Sequence, residues 1–261
     1  MTLVAAAVAG RGLVDPAEPV FLADDEALLR GGAAFETLRV YDGKPFLLAE
    51  HLMRFRHSAD ALALAPPEGV DELVALIAGA APPDHVLRLY RTSATLLATA
   101  AELPADLEEQ RSRGLTLGTF DVGEPPAVLA GVKATSYGVS FAARREAERR
   151  GADEVVFVGD GLVLEASTAN VWWRRGDELY TPATREGVLP GVTRGFVCSI
   201  TPVREGAFPL ADLLGADEAF ITSSIREVMP VVAVDGQTIG DGRPGPEAAR
   251  LQAELRLRST P

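Results

Sequence analysis

Only two lysines, Lys44 and Lys133, occur among the 25 lysine and arginine residues of this chain. Arginine can replace lysine as a surface charge but not as a nucleophile. Guanidinium stays protonated in proteins, whereas a lysine amine can lose its proton near neutral pH and form a Schiff base. In a chain rich in Ala, Gly, Pro and Arg, scarce lysine also follows from a biased codon supply, so rarity alone gives Lys133 no task. Lys44 lies in YDGKPF, a hairpin-turn sequence in which an exposed lysine needs no further explanation. Lys133, in GVKATSYGVSFAARREA, sits where irregular chain gives way to a helix.

Three other features fall at places where the chain changes direction. Glu165 ends a hairpin strand and precedes the small run Ala166-Ser167-Thr168-Ala169-Asn170. Gly191-Val192-Thr193 precedes a helix, and Thr222-Ser223-Ser224 ends a strand. Backbone N–H groups at a helix start, helped by a hydroxyl, make an anion site. Each feature also has a plainer reading: Thr193 as a helix cap, Gly191 and the Thr-Ser-Ser run as turns, Glu165 as an exposed carboxylate. Together they supply an amine, a carboxylate and a cup for phosphate, the contacts that pyridoxal 5′-phosphate needs. Lysine bonds the aldehyde, an acid keeps the pyridine nitrogen protonated, and the freed lysine moves protons as a general acid–base.

The elements that must position these residues follow from periodicity. AFETLRVYDGKPFLL alternates and turns at Asp42-Gly43, a β-hairpin. LAEHLMRFRHSADAL and PEGVDELVALIAGAA carry apolar residues at helical spacing, and HVLRLYRTS and LTLGTF read as strands. DVGEPPAVLAG, with paired prolines and no periodicity, reads as an interdomain linker over residues 121–131. That divides the chain into a small α+β domain over 1–120 and a larger domain over 132–261. In the larger part, SFAARREAERRG reads as a helix ending at Gly151. EVVFVGDGLVLEA and NVWWRRGDELYTP read as hairpins, and PGPEAARLQAELRLR as a terminal helix. The fold class is α+β in two domains.

Bulk properties narrow the partners. A net charge of −12 argues against nucleic acid, which needs a basic footprint. The apolar start MTLVAAAVAGRG lacks a basic leading region and is too short to span a bilayer, so it reads as a strand. The single cysteine, Cys198, excludes an internal disulfide and fits a reducing, cytoplasmic compartment. His51, His57 and His85 show no metal-ligand spacing, so no metal site is expected.

Five motifs in order carry a resemblance to a known family: FETLRVYDGKPFLLAEHLMRFRHSA, VKATSYGVSFAARREA, LEASTANVWW, YTPATREGVLPGVTR and ITSSIREVMPV. Over nearly the whole chain the sequence resembles the fold-type IV, or class IV, pyridoxal-phosphate enzymes. These include branched-chain and D-amino-acid aminotransferases, (R)-amine transaminases and 4-amino-4-deoxychorismate lyases. The resemblance implies a small N-terminal α/β domain and a larger C-terminal pseudo-barrel domain, with the cofactor between them, in a homodimer whose sites borrow loops from the partner. It implies that Lys133 bonds the cofactor aldehyde and Glu165 pairs with the pyridine nitrogen. Arg54 contacts the phosphate, Val192 and Thr193 form one phosphate cup, and Ser223 and Ser224 form the second. Tyr137 matches a tyrosine near the ring hydroxyl.

The implied reaction is transamination through Lys133, from an amino acid or amine to a 2-oxo acid. The alternative is the lyase that releases 4-aminobenzoate and pyruvate, and a third reading is a noncatalytic dimeric relative. Thr37 resembles the lyases. Against that, the position matching the carboxylate-binding arginine of the lyases and the D-amino-acid enzymes holds Leu96, and Phe35 replaces a carboxylate-binding tyrosine of the D-amino-acid enzymes. Phe35, Thr37 and Arg91 are the candidate substrate residues, with Arg88 and Arg39 as other candidate carboxylate partners.

Overall fold

The computed structural model describes residues 1–124 and 126–259. The chain forms two compact units. One comprises Met1–Pro104 with Val132–Tyr137 and Ser259, and the other Ala105–Gly131 with Gly138–Arg258.

The first unit contains β1 Leu3–Val8, β2 Gly12–Val14, α1 Glu26–Arg30, β3 Ala34–Tyr41, β4 Lys44–Pro45, α2 Leu48–Ala61, α3 Val70–Ala80, β5 His85–Arg91 and β6 Leu96–Ala101. Its sheet runs β2-β1-β6-β5-β3-β4 with antiparallel pairings throughout. The β3–β4 turn carries positive φ at both Asp42 and Gly43, the backbone that matches the twist of two hairpin strands. In β3, Ala34, Glu36, Leu38 and Val40 point to a fully buried face. Leu38, Leu87, Leu89 and Leu96 on that face pack with Phe55 of α2 and Ile77 of α3. Each such side chain contributes about 1.5–3 kcal/mol by leaving water. The alternate positions, Phe35 and Thr37, lie opposite Tyr90 and Arg88 on the other face.

The second unit contains α4 Leu107–Arg113, β7 Leu115–Asp121, α5 Gly138–Arg149, β8 Glu154–Gly159, β9 Leu162–Ala166, β10 Ala169–Arg175, β11 Glu178–Pro182, α6 Val192–Ile200, β12 Arg204–Gly206, α7 Leu210–Leu214, β13 Glu218–Ser223, β14 Glu227–Val234, β15 Gln237–Thr238 and α8 Pro246–Ser259. Strands β10-β13-β14-β7-β8-β9 follow one another, and β9 pairs back onto β10, closing a six-stranded ring. Strands β11 and β12 extend from β10, and β15 pairs with β14. The β14–β7 and β7–β8 joints are parallel. Leu115, Val156, Val171, Trp173, Ile221 and Met229 belong to one core cluster of this unit.

The boundaries differ from those read in the sequence. The units separate after Pro104, and residues 105–120 belong to the second unit because β7 is a strand of the ring. Residues 121–131 also belong there. Val122 N–H donates to the Val158 carbonyl, and Gly123 N–H donates to Asp121 Oδ1. Pro125, within that segment, lies outside the described residues. Proline and glycine interrupt periodicity there, but hydrogen bonds determine which unit holds the segment. Val132–Tyr137, read as the start of the larger domain, runs with the first unit instead.

Candidate active site

In the first unit the chain around Lys133 extends the β3 edge. Phe35 N–H donates to the Lys133 carbonyl at 3.0 Å and Thr135 N–H to the Ala33 carbonyl at 2.9 Å, with Ala134 bridging Ala34. Lys133 N–H donates to Ser58 Oγ of α2 at 3.0 Å. These bonds hold the Lys133 backbone and place its side chain on the Phe35 face of the sheet. Its Nζ lies 4.4 Å from the Phe35 ring centroid and 6.0 Å from that of Tyr137. Phe35 in turn stacks on Tyr90 at 6.2 Å and meets Tyr137 edge-on at 5.4 Å. The half-buried amine therefore faces aromatic rings, whose quadrupoles favour a cation.

Arg54 and His51 of α2 converge on Glu36, which is fully buried. Arg54 Nε donates to Oε1 at 2.7 Å and Nη2 to Oε2 at 2.8 Å, a bidentate pair. Burial pushes the Glu36 carboxyl up, but hydrogen bonds from Arg54 and His51 together with the Arg54 charge outweigh it, bringing the pKa down to about 2. His51 Nδ1 lies 2.7 Å from Glu36 Oε2. Burial lowers the His51 pKa against the pull of Glu36, so the neutral ring donates its Nδ1–H.

The candidate substrate residues do not all share one face. Phe35 and Thr37 do, and Arg88 lies directly opposite Thr37. Arg91 pairs with Ala34, on the helix-covered side, where its Nε donates to the Ala65 carbonyl at 2.9 Å. Leu96 belongs to the core on that side. The arginine of β5 that shares the Phe35 face beside Thr37 is thus Arg88.

In the second unit the ring closes at Glu165 and Asn170, which are register partners of β9 and β10. Glu165 Oε2 accepts Leu189 N–H at 3.1 Å and Asn170 Nδ2 at 3.3 Å. Asn170 Nδ2 also donates to the Leu189 carbonyl at 2.9 Å. Those two N–H donors fix the position of the Glu165 carboxylate oxygen. Val192 and Thr193 are the first residues of α6, behind Gly191, whose cap position offers no side-chain hydrogen bond. The first N–H groups of that helix carry the positive end of its dipole. A Cβ at Gly191 would collide with Asn170 Oδ1, so a side chain there would have to displace that amide.

Asn170 also pairs in register with Thr222, which accepts Trp172 Nε1 at 2.8 Å. Ser223 and Ser224 follow, both half-buried, and Ser223 Oγ accepts Arg226 N–H at 3.2 Å. The residue that sequence reasoning left without a role is Asn170, and its signal was its place in the polar run after Glu165. Among the described residues no group of three His, Cys, Asp or Glu side chains could hold a metal ion.

Each unit by itself carries groups that suit pyridoxal phosphate: the first an amine on a fixed backbone and a buried arginine, the second a carboxylate held by N–H donors and a helix start without a side-chain cap. The family model "Amino-transferase class IV" matches residues 33–234, and the chain belongs to that family. It is 29% identical to the D-alanine aminotransferase of Bacillus licheniformis, over 89% of each chain. Among solved structures, a fold IV-transaminase from Curtobacterium pusillum is 30% identical, with TM-score 0.82 and 97% of each chain covered. A T.th. branched-chain amino acid aminotransferase with pyridoxamine 5′-phosphate is 27% identical, with TM-score 0.90, covering 100% of this chain and 95% of that one. The fold is that of the fold-type IV transaminases. The protein is a pyridoxal-phosphate-dependent transaminase acting on amino-acid and 2-oxo-acid substrates. These relatives are aminotransferases, which does not favour the lyase reading.

Proposed function

We propose that Lys133 is the residue that bonds the cofactor in this transaminase. The observation that carries this is the placement of its Nζ over Phe35 on a backbone fixed at both its N–H and its carbonyl. Bound pyridoxal phosphate supplies an aldehyde for the amino group and a protonated ring that draws electrons from the substrate α-carbon. With the cofactor bound, Lys133 Nζ would be the general acid–base that takes the α-proton from the amino donor and delivers it away from the α-carbon, so that the donor leaves as a 2-oxo acid. Glu165 holds the proton on the pyridine nitrogen, its charge supported by Leu189 N–H and Asn170. Arg54, Val192, Thr193, Ser223 and Ser224 hold the phosphate, and Tyr137 supports the ring.

The substrate lies against the Phe35 face, where Phe35, Tyr90 and Tyr137 suit an apolar or aromatic donor. Arg88, rather than Arg91, takes a substrate carboxylate, because it shares that face with Phe35 and Thr37. The enzyme works as a cytoplasmic homodimer. The single cysteine fits that compartment, and α1 buries none of its residues while exposing Leu28 and Leu29, which a second copy would cover.

Purified protein is expected to show a visible cofactor band that borohydride fixes to Lys133, located by peptide mapping. A panel of D- and L-amino acids and (R)- and (S)-amines, with pyruvate or 2-oxoglutarate, then gives chirality and side-chain preference. Colourless protein that takes up no pyridoxal phosphate, or label on Lys44 instead, would overturn the assignment.

A further inference from the structure

We infer that Ser58 is a positioning residue for Lys133, so that α2 sets the placement of the reactive amine as well as that of Arg54. This role rests on Lys133 being the cofactor-bonding lysine, while the hydrogen bond between Ser58 and Lys133 is independent of it. The buried side of α2 carries His51, Arg54 and Ser58 among Leu52, Phe55 and Ala59. Positions 51, 54 and 58 are three and then four residues apart, so they form one stripe along the helix. An amphipathic helix packed on a sheet needs only apolar groups there, and burying three polar ones is costly unless each is satisfied. His51 and Arg54 are satisfied by Glu36. Ser58, fully buried, accepts Lys133 N–H across 75 residues of sequence.

That bond has a specific mechanical effect. The β3 edge takes the Lys133 carbonyl through Phe35 N–H, and Ser58 takes its N–H. With both groups held, the Cα–Cβ direction is set and the side chain projects over Phe35. Without the Ser58 acceptor, the segment from Val132 can turn about its bonds to β3, and Nζ loses its fixed aim. One turn away on the same helix, Arg54 keeps its pair with Glu36 of β3. The serine therefore acts on the lysine and not on the arginine.

The test compares Ser58→Ala, Ser58→Cys and Ala59→Gly in the purified holoenzyme. Ser58→Cys keeps nearly the same volume with a poor acceptor, and it serves if Ser58→Ala does not fold. Ala59→Gly weakens the same buried turn without touching the hydrogen bond. Two readouts apart from turnover are followed: amide exchange of the peptide spanning Lys133, and the pH midpoint of the visible cofactor band. Both Ser58 variants are expected to speed Lys133 amide exchange about tenfold, the scale of one lost hydrogen bond, and to move the pH midpoint. Turnover number should fall with little change in KM, and Ala59→Gly should leave both readouts at wild-type values. If the Ser58 variants match Ala59→Gly in both, the positioning role is wrong. If borohydride instead fixes cofactor away from Lys133, the functional reading fails, while amide exchange still decides whether Ser58 holds the segment.

Discussion

Asn170 Oδ1 occupies the space that any side chain at position 191 would need, 2.0 Å from where a Cβ would stand. The same amide donates to Glu165 and to the Leu189 carbonyl, so it ties the carboxylate to the loop that opens α6. Gly191→Ala must displace Asn170, and the displacement loosens both. Cofactor affinity is expected to fall tenfold or more, about the effect of one or two lost hydrogen bonds to a charged group. Equilibrium dialysis with absorbance detection measures it. On an Asn170→Ala background the same substitution should cost much less, and additive losses would show that the two residues act separately.

Glu36 and His51 give the first unit an acid-sensitive centre. Both have native pKa values below their ordinary ones, 4.5 and 6.5, so the unfolded chain binds more protons than the native one in acid. Stability from His51 is complete above pH 6.5 and declines below it. The Glu36 contribution is complete above pH 4.5 and is lost as pH falls toward 2. Urea unfolding midpoints should therefore drop in two stages between pH 7 and pH 2. Glu36→Gln should abolish the lower stage. At pH 7 it should also cost about 3–5 kcal/mol, because it leaves Arg54 buried without its charge partner.

Strand register separates two neighbouring arginines. Arg88→Ala is expected to raise KM for the 2-oxo acid by tenfold or more, the loss of a charge-assisted contact, with little effect on thermal stability. Arg91→Ala should do the reverse, since it removes only the bond to Ala65. That change should cost about 1 kcal/mol of folding free energy. Steady-state kinetics beside thermal melts distinguishes the pair, and equal KM effects would contradict the assignment of faces.

Glu227 is the hub of a buried charge network in the second unit. It is 1% exposed and accepts from Arg111, Arg256 and Gln252 at 2.6–3.0 Å, joining β14 to α4 and α8. Glu227→Ala removes the buried carboxylate shared by Arg111 and Arg256, which both keep Glu108, and is expected to cost about 1.5–3 kcal/mol, the scale of a lost hydrogen bond to a charged group. Differential scanning calorimetry should show the lower melting temperature. Peptide mapping after borohydride treatment should still place cofactor on Lys133.

Local chemistry made much of this architecture readable in the sequence. The turns at Asp42-Gly43 and Asp160-Gly161, with positive φ at all four residues, were announced by residue type. Helices α2 and α3 followed from apolar spacing, because each lays one stripe on a sheet. What stayed hidden depends on pairing between distant segments. The place of Val132–Tyr137 beside β3 is set by hydrogen bonds across about a hundred residues, which composition cannot express. The side of the sheet on which Arg88 and Arg91 fall needed the β3–β5 register. Helix α1 buries nothing and so left no periodic signal, while β6 is buried at every position and so shows no alternation.

The ring of the second unit also dictates an order of events during synthesis. Leu115–Leu117 pair with Val231–Val234, so β7 must wait for more than a hundred further residues before its place exists. The sheet of the first unit, made wholly from Met1–Pro104, needs no later residue to pair its strands. A nascent chain can therefore form that sheet while β7, already made, has only β8 to pair with and keeps its other edge open. That open edge lasts until the ribosome has passed Val234. For this enzyme the interval of greatest aggregation risk is the second half of translation, and chaperone capture should be concentrated there.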